Sequence, residues 1–319
     1  MSISVALEPA AAVVAVDVGK TTAAVLVTDA QRQRLLGPLE FAMTGPGVAL
    51  VIKKTQAVLP LGLARVGVEA AGHYHRPLAS QNVWPGWQVV ELNPAHVTEQ
   101  RRVMGRRRVK TDAIDLEAIT ELLLAGRGVV VVEPPPAVTQ LAAWTAHRHR
   151  RVLTRTATKN QLLSQLDRCF PGLTLALPDV LGTQVGRLIA EQFSDPHRLA
   201  ALGPARFVRF AAARDVRVAR PVADRLVVAA RDALAGPGAA VARMVLAEDV
   251  ALLADLDRQI AEAEIRLAGL LPQTPFAPLT TVPGWGTVRA SGYGAAVGDP
   301  ARWPGARQLY RASGLSPAQ

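Results

Sequence analysis

The sequence predicts an α/β domain built on a mixed sheet, followed by a long helical region with coiled-coil character and a small helical C-terminal domain. Three observations carry this reading. Short β-branched runs separated by polar breaks fill the first ninety or so residues. Beyond residue 137 the chain turns rich in alanine and leucine, with apolar residues returning every three or four positions. Between the two lies Glu133-Pro134-Pro135-Pro136, and consecutive prolines continue neither a helix nor a central strand. The expected domains are therefore 10–130, 137–270 and 275–319.

The runs AAVVAVDVG, TAAVLVTD and LLGPLEFAMT read as three strands, broken at Gly19-Lys20 and Gln31-Arg32. Their connections are too short for a parallel crossover, so antiparallel neighbours are expected. After the turn Thr44-Gly45-Pro46-Gly47 come a helix, the strand ARVGVE, a helix beginning near His73, and the strand QVVEL ending at Asn93-Pro94. Three meandering strands followed by two strands reached through helices is the layout of a ribonuclease H-like mixed sheet.

The segment from Asn93 to Lys110 is too polar for a core and crowds Arg101, Arg102, Arg106, Arg107, Arg108 and Lys110 together. TDAIDLEAITELLLAG then reads as a helix with Thr111 as N-cap and Gly126 as its stop. Past the prolines, HRHRRVLTRTATKNQLLSQLDRCF is a basic helix that offers Arg148, Arg150, Arg151 and Lys159 to phosphates. A long helical pattern from about Pro221 to Leu270 is interrupted at Gly236-Pro237-Gly238, and its second half is spaced for an interhelical seam, as in an arm or dimerisation coil. In the tail, Pro283-Gly284-Trp285-Gly286 is a tight turn, and Gly284 and Gly286 would let backbone N–H groups approach a phosphate.

The 36 Lys+Arg against 26 Asp+Glu give a net charge of +10, which suits a polyanionic partner. The single Cys169 excludes an intrachain disulfide and an all-cysteine zinc site. No apolar run approaches the roughly 20 residues that span a bilayer. The opening MSISVALEPA has no basic segment ahead of its apolar residues, so a cytoplasmic protein without membrane attachment is expected.

Four carboxylates carry the chemistry. Asp17 lies near the end of the apolar first strand, just before Gly19, and Glu69 ends the strand VGVE. Asp112 and Asp115, three positions apart, share a face of their helix. Gathered acids repel one another unless a cation compensates, and hard carboxylate oxygens suit Mg²⁺, of which four acids can hold a pair. Taken singly, each acid has a plainer role: a turn cap for Asp17, an ion pair with Arg65 or Arg76 for Glu69, a helix first turn for Asp112 and a solvated position for Asp115. His73 and His75 form an HxH without a nearby cysteine, and helix-start or phosphate-contact roles fit them better than zinc ligation.

At these residues the sequence resembles the IS110-type, or DEDD, bacterial transposases. The resemblance runs through VDVGK, VEAAGHYHRPLA, LNPAHV and KTDAIDLEAI, and resumes in TVPGWGTVRA and GDPARWPGARQLYRASGLSP. It implies a resolvase-like ribonuclease H fold whose four acids, here Asp17, Glu69, Asp112 and Asp115, bind Mg²⁺. It implies a recombinase that moves its element as DNA, guided by a structured RNA and working as a homodimer or homotetramer. In that family a C-terminal serine is the covalent nucleophile, past the segment matching GLSP. Ser313 and Ser316 precede that place, so the nucleophile is expected beyond residue 319. The rival readings are a junction nuclease without a protein nucleophile, a non-catalytic nucleic-acid-binding remnant, and an actin-like ATPase or sugar kinase suggested by DVGKTTAAV. A Walker A loop is excluded because Val14 stands where its first glycine belongs.

Overall fold

The computed structural model describes residues 12–59, 64–105, 111–234, 236–300, 303 and 305–312. It comprises two compact units, Met1–Pro135 with Asp299–Gln319, and Pro136–Gly298. The first unit holds β1 (Ala12–Val18), β2 (Thr22–Asp29), β3 (Arg34–Ala42), α1 (Gly45–Val58), β4 (Ala64–Glu69), β5 (Gln88–Leu92), α2 (Pro94–Val103), α3 (Asp112–Leu124) and β6 (Val129–Val130). The strand order is β3-β2-β1-β4-β5-β6. The pairs β1–β2, β2–β3 and β5–β6 are antiparallel, whereas β1–β4 and β4–β5 are parallel, so the sheet is mixed.

Alternation along each strand feeds two cores. Val14, Val16, Val18, Val66 and Val68 pack with Val51 of α1 and with Leu78, Trp84 and Trp87. Val13, Ala15, Ala24, Val90 and Leu92 face the other way, onto Val97 of α2 and Leu116, Ile119 and Leu123 of α3. Gly67 matters here, because any side chain at that position would collide with Leu123. α3 begins and ends where its capping residues dictate. Thr111 accepts from the Ile114 N–H, and Gly126, at φ 66°, closes the helix with bonds from Gly126 N to Leu123 O and from Arg127 N to Leu122 O.

The helix expected near His73 is absent. Residues 71–86 form successive turns, with bonds such as Tyr74 N to Ala71 O and Ala79 N to His75 O. Pro77 supplies no N–H and disfavours helical backbone at Arg76, and Pro85-Gly86 ends any continuation. The Trp84 indole instead donates to Leu78 O within the segment, and Leu78 and Trp84 pack it onto the sheet.

The second unit holds α4 (Pro136–Cys169), α5 (Leu173–Ala176), α6 (Gln184–Gln192), α7 (Pro196–Leu202), α8 (Pro204–Ala212), α9 (Arg220–Asp232), α10 (Ala239–Leu270) and α11 (Thr287–Val297); α12 (Ala306–Ala312) belongs with the first unit. α4 and α10 run antiparallel along each other, as shown by ion pairs from Arg148 to Glu264 at 2.7 Å and from Arg155 to Asp257 at 3.2 Å. The seam read along α10 therefore has α4 of the same chain as its partner. At the far end of this pair, Leu162, Leu166 and Phe170 of the α4 end join Leu226 and Val227 of α9 and Leu246 of α10 in one core that also covers Cys169.

Burial pushes the Cys169 thiol above its usual range, so little reactive thiolate forms at neutral pH. Under native conditions Cys169 is expected to react with a thiol-labelling reagent at least about tenfold slower than in denaturant. Equal labelling rates with and without denaturant would show that this end of the helix pair opens freely.

Candidate metal and nucleic-acid site

Strand register puts the first two acids side by side. β1 and β4 are paired in parallel up to Val16 opposite Val68, and the next positions are Asp17 and Glu69. Neighbouring strands lie about 4.8 Å apart. By alternation both acids belong to the sheet face that carries Val13 and Ala15, the face covered by α3. Both are half-buried, and each has an interacting partner within the chain.

α3 runs opposite to β1 and β4. Its C-terminal part is fixed near the start of those strands, because the Arg65 guanidinium donates to Leu123 O at 3.2 Å and to Gln88 Oε1 at 3.1 Å. Arg32, in the β2–β3 turn at the same end, grips Glu121 through two bonds of 2.8 and 2.9 Å. That bidentate pairing holds the Glu121 carboxyl below the ordinary range. Burial lowers the Arg65 pKa. The N-terminal turn of α3, with Asp112 and Asp115, consequently sits toward the carboxyl ends of β1 and β4.

The two helix acids differ in surroundings. Asp112 is exposed, whereas Asp115 is buried, at 3% exposure. Arg101 of α2 stands 2.9 Å from Asp115 Oδ1 and also donates to Thr98 Oγ1. The approach to Oδ1 is close enough for an ion pair but lies off the direction of a hydrogen bond, so this buried oxygen lacks a hydrogen-bond partner. An orphaned buried carboxylate oxygen is donor chemistry that suits a hard cation. Among the described residues, however, no three Asp, Glu, His or Cys side chains come together closely enough to hold a metal ion.

The predicted phosphate contacts fall into different settings. Arg102 is exposed and pairs with Glu99, and Arg101 is turned inward onto Asp115. Arg106, Arg107, Arg108, Lys110, Ser313 and Ser316 lie outside the described residues. On α4, Arg150 is exposed, Lys159 and Arg151 are half-buried, and Arg148 is spent on Glu264. The basic character of α4 thus serves partly to match acids of α10. In the tail, Gly284 takes φ 80° and its carbonyl accepts from Arg289, while Gly286 precedes the first residue of α11.

Two contacts were not foreseen. Arg101 to Asp115 joins residues fourteen apart across a helix-to-helix connection, and periodicity within either helix carries no signal for it. His75 is buried with Nε2 3.2 Å from Glu91, which removes it from phosphate contact.

Residues 14–171 match the family model of the DEDD transposases of the IS110 type, described as transposase. The chain is also 27% identical, over 211 residues, to an uncharacterized 44.8 kDa protein of insertion element IS116 from Streptomyces clavuligerus. The similar stretch covers 65% of this chain and 53% of that relative, so the chain spans about half the length of the curated protein it matches. Among the described residues no helix is long and apolar enough to cross a membrane.

Proposed function

The chain belongs to the IS110-type DEDD transposase family, and from that premise we propose that it is the recombinase of an insertion element, cleaving and exchanging DNA strands with Asp17, Glu69, Asp112 and Asp115. The observation that carries the reading is the neighbouring register of Asp17 and Glu69 at the carboxyl ends of β1 and β4, on the face whose covering helix begins with Asp112 and Asp115. The mixed sheet order supports a ribonuclease H-like assignment for this unit.

The four acids would hold Mg²⁺, in a pair, and such ions supply charge neutralisation at the scissile phosphate and an activated attacking oxygen. The protein's own contribution is positional. Strand pairing fixes the backbone of Asp17 and Glu69, and the Thr111 cap fixes the first turn of α3. The N-terminal end of α3 favours negative charge, whether carboxylate or phosphate. Arg101 balances Asp115, and engagement of that carboxylate by a cation requires this ion pair to yield. DNA as substrate, a structured RNA as guide and a dimer or tetramer as working form belong to the same proposal and rest on the family resemblance.

The test incubates the protein, with the serine nucleophile that the family resemblance implies past residue 319 included, with DNA carrying the element's ends and with RNA transcribed from those ends, in Mg²⁺ or in EDTA. Strand cleavage in Mg²⁺ that EDTA abolishes is expected. Retained nucleic-acid binding with no cleavage in Mg²⁺ would reduce the chain to a binding protein.

A further inference from the structure

The helical cap at the far end of the α4–α10 pair carries a charge pattern that the carboxylate site does not use. From Arg206 to Arg220 the chain has five arginines and a single acid, Asp215. α8 buries Phe207 and Ala211 against the cap core and leaves Arg206 and Arg209 exposed. These two are three positions apart, hence about 4.5 Å along the helix axis on one face. The turn after α8 adds Arg214 and Arg217, both exposed.

Several other arginines of this unit are matched with acids. Arg148 pairs with Glu264, Arg155 and Arg187 pair with Asp257, and Arg258 pairs with Asp255 and Glu262. Arg206, Arg209 and Arg217 have no ion pair among the described residues. Arg214 is held differently: its guanidinium lies 3.7 Å from the Phe210 ring centre and donates to Phe210 O. Stacking fixes the orientation of that fork while leaving its other N–H groups available. Uncompensated like charges at this density cost self-repulsion, which a polyanion relieves.

We infer that the α8 face and the turn behind it, through Arg206, Arg209, Arg214 and Arg217, form a second nucleic-acid contact that grips phosphodiester backbone without reading bases. The inference rests on the proposed role in DNA recombination and deepens it, because it assigns the helical cap a hold on substrate or guide remote in sequence from the acids. Guanidinium forks match phosphate oxygens, and the spacing of Arg206 and Arg209 is comparable to the 3.4 Å axial charge repeat of one nucleic-acid strand. Duplex DNA and structured RNA share this chemistry.

The experiment measures affinity against salt concentration for the full chain on two probes of unrelated sequence, a DNA duplex and an RNA hairpin. The chain is compared with two triple variants, R206A/R209A/R217A and R206Q/R209Q/R217Q, the second keeping side-chain length. A fall in the salt slope of about 2.7 for the duplex, three contacts at about 0.9 each, is expected in both variants if DNA lies here. A comparable fall confined to the hairpin would support the inference with RNA as the occupant. Unchanged slopes on both probes, with steep salt dependence retained by the unmodified chain, overturn this inference and leave the proposed function standing. Absence of salt-dependent binding by the unmodified chain overturns both.

Discussion

Asp17→Asn and Glu69→Gln are each expected to slow metal-dependent strand cleavage on the order of 10³-fold, equivalent to about 4 kcal/mol of lost transition-state stabilisation. The substitutions keep size and polarity but remove the charge that a divalent cation requires. Because the two acids are neighbours across β1 and β4, loss of either would deprive the other of the cation they are proposed to share, and the double variant is expected to cost little more than a single one. Nucleic-acid affinity should stay within about twofold, since the positive charge of the chain is untouched. Single-turnover cleavage and equilibrium binding on the same DNA separate the two quantities. A variant that still cleaves within tenfold of the unmodified rate would remove that acid from the chemistry.

Arg101→Ala is expected to destabilise the first unit by about 3 kcal/mol, because it leaves the buried Asp115 carboxylate with neither counter-charge nor solvent. Most of that cost belongs to the stranded charge and not to the attraction that is lost. Adding Asp115→Asn to Arg101→Ala should therefore recover more than half of the loss, because it removes the stranded charge while keeping a polar side chain of the same size. Denaturant unfolding of the two single variants and the double variant reads this directly as a coupling energy. An Arg101→Ala variant as stable as the unmodified chain would mean that Asp115 finds water or another cation once Arg101 is gone.

Much of the first unit was legible because its signals are local. Alternating β-branched residues locate β1 to β5, and Thr111 and Gly126 locate both ends of α3. The two-residue β6 offers too short a pattern to detect. The supposed helix near His73 failed on Pro77 and Pro85-Gly86, residues whose breaking effect was visible in the sequence but outweighed by the expected layout. The placement of Asp17 beside Glu69 could be suspected from strand order. Inward rotation of Arg101 onto Asp115 could not, because it depends on how α2 and α3 pack. Likewise, the apolar spacing of α10 announced a seam without saying which helix fills it, since α4 and a second copy satisfy the same pattern.

The antiparallel course of α4 and α10 also gives the second unit the properties of an extensible boom. The chain enters this unit at the start of α4 and, after α10, lays α11 against α4 before leaving it at Gly298, while the arginine-bearing cap lies at the other end of the helix pair. Seven residues added to each helix at matched positions would preserve the phase of the seam and carry the cap outward by about 10 Å, at 1.5 Å per residue. Reach can thus be altered by length alone, with no change to the residues at either end of the boom.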